Sequence, residues 1–262
     1  MKKRIIIFAI VIAVITAVSV IPAVLFFNGF MQINPSKEEY PVRGVDVSSY
    51  QGKIDWQTLS EQGIDFAFIK ATEGSSFVDR NFGYNCTEVQ KTPLRWGAYH
   101  FFSYDSSGDT QADNFIKTVP LTENMLPPVI DLEFYGEYTN SPKSRDEVAR
   151  ELQIMLDLLE EHYKLKPVIY ATAKSYSTYL SGEYADYDVW IRNTLAVPNF
   201  ADGRKWRFWQ YSDKGELDGY KGEEKYIDMN IFNGTHEEFQ NYARKEYKNR
   251  LSQKMRQPVF YL

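Results

Sequence analysis

The sequence predicts an α/β fold, an irregular β/α barrel of eight strands, with one transmembrane helix ahead of it. Three observations carry this. Short apolar runs rich in β-branched and aromatic residues recur eight times. Helix-like segments separate the early ones. One long uncharged apolar run lies near the N-terminus.

The N-terminal element comes first. "MKKR" is followed by an apolar run from Ile5 to Phe27, 23 residues without a charge. About 20 helical residues cross the hydrocarbon core of a bilayer. A cleaved signal has a shorter apolar region and a small-x-small site, which "LFFNGF" lacks. An uncleaved anchor is therefore expected. Lys2, Lys3 and Arg4 place its N-terminus in the cytoplasm and the remainder outside, in a single-pass cell-membrane protein. The expected organisation is a basic end and anchor over 1–27, a short tether over 28–40, a barrel over 41–240 and a basic tail over 241–262.

The strand-like runs are "RGVDVSSY" (43–50), "DFAFIKATEG" (65–74), "RWGAYHFFS" (95–103), "PPVIDLEF" (127–134), "KPVIYATA" (166–173), "DVWIRN" (188–193), "WRFWQYS" (206–212) and "YIDMNIFNG" (226–234). The clearest helix is 144–164. Val148, Leu152, Met155, Leu156 and Leu159 recur there at helical spacing, and Ser144 with Glu147 forms a capping box. Segments 55–63 and 110–119 are shorter candidates. Strands alternating with helices imply parallel pairing and right-handed crossovers, and eight of them suggest a closed, TIM-like barrel. The gaps before strands seven and eight hold Gly, Pro and charges with little helical periodicity, so the barrel should be irregular there.

Composition narrows the chemistry. The net charge is −5 and no large basic patch stands out, so nucleic acid is not an expected partner. Cys86 is the single cysteine and reads as packing. His100, His162 and His236 are not spaced as zinc ligands on a helix, and no metal or cofactor is expected. Aromatics make up 16% of residues, enough to supply both a bulky core and stacking faces for sugar rings.

The site candidates are carboxylates in apolar strands. Asp131 and Glu133 lie two residues apart in strand four, so they share a face, with Cα atoms roughly 6.5–7 Å apart. Ile130 and Leu132 take the other face, toward the helices. Two acids this close in a partly dry place do not both ionise easily, and a carboxyl with a raised pKa can be a general acid. Asp46 in strand one and Asp228 in strand eight converge on them if the barrel closes, and Glu73 ends strand two. Tyr99 and Phe101 share a face in strand three; with Tyr170 in strand five they are core or cleft lining. Trp206, Phe208, Trp209 and Tyr211 serve either purpose in strand seven. Paired carboxylates with abundant aromatics suggest glycoside hydrolysis. A metal-dependent deacetylase and a barrel that binds glycan without cutting it are the alternatives.

The eight runs, together with "FWQYSDKGELDGYKG", resemble the successive motifs of glycoside hydrolase family 25, from about Arg43 to Gly234. "DVWIRN" departs from the more usual "WIA" form of strand six, a change expected to touch the rim rather than the acids. The resemblance implies a flattened barrel whose last strands lack helices, and a lysozyme that cuts peptidoglycan after N-acetylmuramic acid. It implies Glu133 as acid/base and Asp131 as support for a substrate acetamido group or the oxocarbenium charge. Asp46 and Asp228 would line the same cleft, with Glu73 at its edge and Tyr99 and Tyr170 in its lining.

Overall fold

The structure is a computed structural model that describes residues 15, 16, 18, 33–122 and 125–243. Two compact units divide the chain, Met1–Asn34 and Pro35–Leu262. In the first, Ile15, Thr16 and Val18 are helical. Otherwise the expected anchor lies outside the described residues, as do 28–32 of the tether and the tail from 244 onward. Among the described residues no helix is long and apolar enough to cross a membrane.

The second unit is a closed barrel. Its strands are β1 (Arg43–Val47), β2 (Phe66–Glu73), β3 (Arg95–Phe101), β4 (Val129–Leu132), β5 (Val168–Thr172), β6 (Val189–Arg192), β7 (Phe208–Gly215) and β8 (Ile227–Phe232). All eight fall on the predicted runs. They pair in chain order, and β1 pairs with both β2 and β8 to close the ring. A two-residue strand, Phe77–Val78, folds back on β2.

The pairs from β1 to β7 are parallel, but β8 runs antiparallel to both its neighbours. This corrects the all-parallel expectation. A parallel crossover needs a dozen or more residues, usually a helix, whereas antiparallel strands can be joined by a hairpin. Segment 216–226 holds no helix, and β8 folds straight back along β7. Reversal puts the start of β8, with Asp228, on the same rim as the C-terminal ends of β1 to β7.

The helices are α1 (Trp56–Ser60), α2 (Phe82–Val89), α3 (Gly108–Thr118), α4 (Arg145–Tyr163), α5 (Ala173–Ser175, continued by a wide turn over Tyr176–Leu180) and α6 (His236–Asn241). Ser144 and Glu147 form the predicted capping box of α4, whose five predicted apolar residues are buried. Helix α2 is an unpredicted element. Phe82, Cys86 and Val89 bury one face at helical spacing, but Gly83 and Asn85 between them are poor helix formers that hide the period. No helix covers 193–207, as the sequence implies. Tyr40, Trp206 and Trp209 pack together there, with Tyr40 ring centroids 5.7 and 6.2 Å from the two tryptophans. Tyr40 belongs to the stretch expected as a tether, and from Pro35 onward that stretch is part of the barrel unit.

Inside, an aromatic plug fills the lower barrel. Phe68 stacks on Trp190 at 4.7 Å, and Phe208 meets Phe66 and Phe68 edge-on at 5.4 and 5.2 Å. Gly44 makes room for it: a Cβ there would lie 2.3 Å from the Phe66 ring. Helix α6 seals the bottom with Phe239, whose carbonyl accepts from the buried Arg95 guanidinium at 2.6 Å. Phe208 is thus core, while Trp209 and Tyr211 lie on the outer face of β7 and Trp206, ahead of the strand, packs against Trp209. Replacing Phe208 by Ala should cost about 3–5 kcal/mol of stability, because the closed ring cannot collapse onto the space left. Chemical denaturation of the folded variant measures this, and a loss under about 1 kcal/mol would contradict a rigid plug.

Candidate active site

Strand alternation carries the inward rows upward from the plug. Above Val129 in β4 comes Asp131, then Glu133 just past the strand end. Above Phe68 comes Lys70, above Trp190 comes Arg192, and above Phe208 comes Gln210. In the reversed β8 the order upward is Phe232, Asn230, Asp228. A polar layer therefore sits on the aromatic plug. It floors an open cleft of about 490 Å³ whose lining includes Asp46, Lys70, Tyr99, Phe101, Asp131, Glu133, Asp213, Tyr226 and Asp228.

The carboxylates form two pairs. Asp46 and Asp228 face each other directly across β1 and β8. Asp46 Oδ2 accepts from Asn230 Nδ2 at 2.7 Å and Gln210 Nε2 at 2.8 Å; the same Gln210 nitrogen also donates to Asp228 Oδ2 at 3.1 Å. Trp190 Nε1 donates to Asn230 Oδ1 at 2.8 Å and Tyr170 Oη to Gln210 Oε1 at 3.0 Å, which fixes both amides with their N–H groups toward the acids. Burial and the Asp46 charge push the Asp228 carboxyl well above its usual range. Burial raises Asp46 too, but the two amides oppose it. Two carboxyls this close do not both ionise easily, and the upward push is the stronger on Asp228.

Asp131 and Glu133 are the second pair. Burial first, then the Glu133 charge, raise Asp131 well above the usual carboxylate range, with Lys70 opposing. Glu133 is also raised by burial, and Arg192 is the leading opposing charge. Asp131 Oδ1 is buried without a hydrogen-bond partner. A buried acceptor left unsatisfied is costly, so this oxygen is set for a donor that arrives with a ligand.

Six of the eight candidates come together. Asp46, Asp131, Glu133, Asp228, Tyr99 and Phe101 line the cleft. Tyr170 lies beneath its floor, 6% exposed, and acts through Gln210. Glu73 stands outside the lining and holds the Lys70 ammonium at 2.8 Å, with the Phe101 ring 4.9 Å from that nitrogen. Lys70, Gln210, Asn230, Tyr226 and Asp213 were not candidates, although the inward parity of Phe68, Phe208 and Asp228 marks the first three. Arg192 corrects an expectation. Half-buried and paired with Asp213 at 2.7 Å, it acts on Glu133 and Asp228, so the "DVWIRN" departure reaches the acids. His100 is structural: Thr72 Oγ1 and Gln111 Oε1 satisfy both ring nitrogens at 2.7 and 3.1 Å, and burial pulls it down to about 4. Among the described residues no group of three or more His, Cys, Asp or Glu is placed to hold a metal.

Comparison with known proteins identifies the family of the chain. The profile of "Glycosyl hydrolases family 25" matches residues 45–220. The Escherichia coli protein YegX is 38% identical over 209 residues, 78% of this chain and 74% of its own length. Lysozyme M1 of Streptomyces globisporus is 32% identical over 214 residues, 74% of this chain and 68% of its own. Among solved structures, a family 25 glycosyl hydrolase from Bacillus anthracis is 51% identical with a TM-score of 0.77, covering 81% of this chain and 98% of that one. The chain belongs to glycosyl hydrolases family 25 and is a glycoside hydrolase.

The raised acids carry a stability signature. Folded Asp131 keeps a proton that the unfolded chain releases above roughly pH 3.9, so its contribution is lost as pH rises from there through the folded value. Asp131→Asn should therefore melt higher than the parent at neutral pH. The difference should close as pH falls below about 4, where the carboxyl is protonated in both states. Thermal melts of both proteins across that range test the sign.

Proposed function

We propose that this protein is a lysozyme that hydrolyses the β-1,4 bond between N-acetylmuramic acid and N-acetylglucosamine in peptidoglycan. One observation carries the assignment of roles: Asp131 and Glu133 share the mouth of the barrel, and the buried Oδ1 of Asp131 lacks a donor. Glu133 is the general acid/base. Burial raises its pKa, which favours the protonated form that a glycosidic oxygen requires. Asp131 accepts from the N–H of the substrate acetamido group through its unpartnered oxygen and turns the acetamido carbonyl toward the anomeric carbon. That carbonyl displaces the leaving sugar as Glu133 protonates it. Glu133, now ionised, then takes a proton from the water that opens the cyclic intermediate. Asp46 and Asp228 bind sugar hydroxyls, and Tyr99 and Phe101 offer aromatic faces.

Glu133→Gln should lower turnover on purified peptidoglycan by about 10²–10⁴-fold while leaving the fold intact, since an amide cannot donate that proton. Near-parental release of reducing ends by the folded variant would sink the assignment, and a folded parent that binds but releases none would identify a glycan-binding barrel. De-N-acetylated glycan should be a poor substrate for the parent enzyme. Equal rates on both glycans would instead favour a direct carboxylate nucleophile or an inverting water. Full activity is expected in EDTA, and its loss would revive the deacetylase-type metal site.

The uncharged run 5–27 behind Lys2, Lys3 and Arg4 supports an uncleaved membrane anchor with the barrel outside the cell, where a short tether confines cutting to nearby wall. Mass spectrometry of the mature protein should find the N-terminus ahead of residue 5. A start after Phe27, with protein free in the medium, would rule the anchor out.

A further inference from the structure

We propose that Arg192 is a positioning residue for Glu133: clamped by Asp213, its guanidinium balances the charge of that carboxyl and sets the alkaline limit of turnover. The inference rests on the reading of Glu133 as the general acid.

The placement follows from the ring. Trp190 belongs to the inward plug, and Arg192, two residues further along β6, shares its face at the rim. In register it lies beside Thr172 of β5 and Gln210 of β7. Ring order gives the mouth an alternating charge pattern. The Asp46 and Asp228 pair occupies β1 and β8, Lys70 is in β2, the Asp131 and Glu133 pair belongs to β4, and Arg192 is in β6. Each cation stands two strands from β4, one on either side.

The two cations are not equivalent. Lys70 is held by Glu73 and is the leading charge opposing protonation of Asp131. Arg192 is held by Asp213 at 2.7 Å and is the leading one at Glu133. Its guanidinium does not lose its proton in the working range, so the balance it supplies is constant. The groups that act electrostatically with Glu133 are Asp46 from β1, Lys70 from β2, Asp131 in β4, Tyr170 from β5 and Arg192 from β6. Asp228 and Asp213 act on Arg192 from the far side, and Tyr104 lies after β3. Arg192 and Lys70 are the cations in this set. The proposed reaction needs Glu133 protonated in its first half and ionised in its second. Burial and the neighbouring acids favour only the first state; Arg192 keeps the second within reach.

The test compares full-length Arg192→Gln, Arg192→Lys and the double variant Arg192→Gln with Asp213→Asn. Two readouts are followed: the pH profile of kcat/KM on peptidoglycan, and the carbon-13 titration of the Glu133 carboxyl, identified by its loss in Glu133→Gln. In Arg192→Gln both the titration and the alkaline limb should move to higher pH, while Arg192→Lys stays near the parent. The double variant, which removes both charges together and leaves no unpaired acid if the single variant misfolds, should move in the same direction. An unmoved Glu133 titration in folded Arg192→Gln or in the double variant overturns the inference. A titration that moves while the alkaline limb does not would uphold the charge balance and overturn Glu133 as the acid.

Discussion

Mutual repulsion among four carboxylates gathered over a dry aromatic floor is the constraint on which the rest of this site depends. Asp46 and Asp131 are buried, and Asp228 and Glu133 are partly buried at the cleft. Bringing four negative charges together under such burial would cost many kcal/mol if all were ionised. Protons, two oriented amides and two clamped cations relieve it. The raised carboxyl of Asp228, the N–H groups of Gln210 and Asn230, and the Lys70 and Arg192 charges are responses to the same problem.

The barrel makes the gathering possible. Its plug of Phe66, Phe68, Trp190, Phe208 and Phe232 keeps water from below and ends where the polar row begins. The floor is not passive. Trp190 belongs to the plug yet donates to Asn230, and Tyr170 rises from it to Gln210. Core packing therefore fixes the amides that hold Asp46. Stability and acid chemistry pull in opposite directions here: raised carboxyls weaken the fold at neutral pH and are what a proton donor requires.

The irregular side of the barrel serves the same end. Dropping the crossover after β7 turns β8 around and delivers Asp228 opposite Asp46 at the rim. The helix also missing between β6 and β7 leaves an outer face that Tyr40, Trp206 and Trp209 close with rings instead. The aromatic richness of strand seven thus divides, Phe208 inward, Trp209 outward, and Trp206 just ahead of the strand.

By itself the sequence determined the eight strands, the long capped helix and the acids that share an inward face, because period, capping and alternation are local properties of the chain. It also marked where helices fail. Helix α2 escaped notice because Gly83 and Asn85 mask a short apolar period, and the direction of β8 because an apolar strand reads the same either way. Tertiary structure alone decided what surrounds each acid. Lys70 and Arg192 look like ordinary charges at strand ends, and Gln210 and Asn230 like ordinary polar residues. Only ring closure, which sets residues far apart in the chain into one layer, shows that the first pair balances the β4 carboxyls and the second holds Asp46. Charge interacts through space rather than along the chain, so pKa and partnership are settled by the fold.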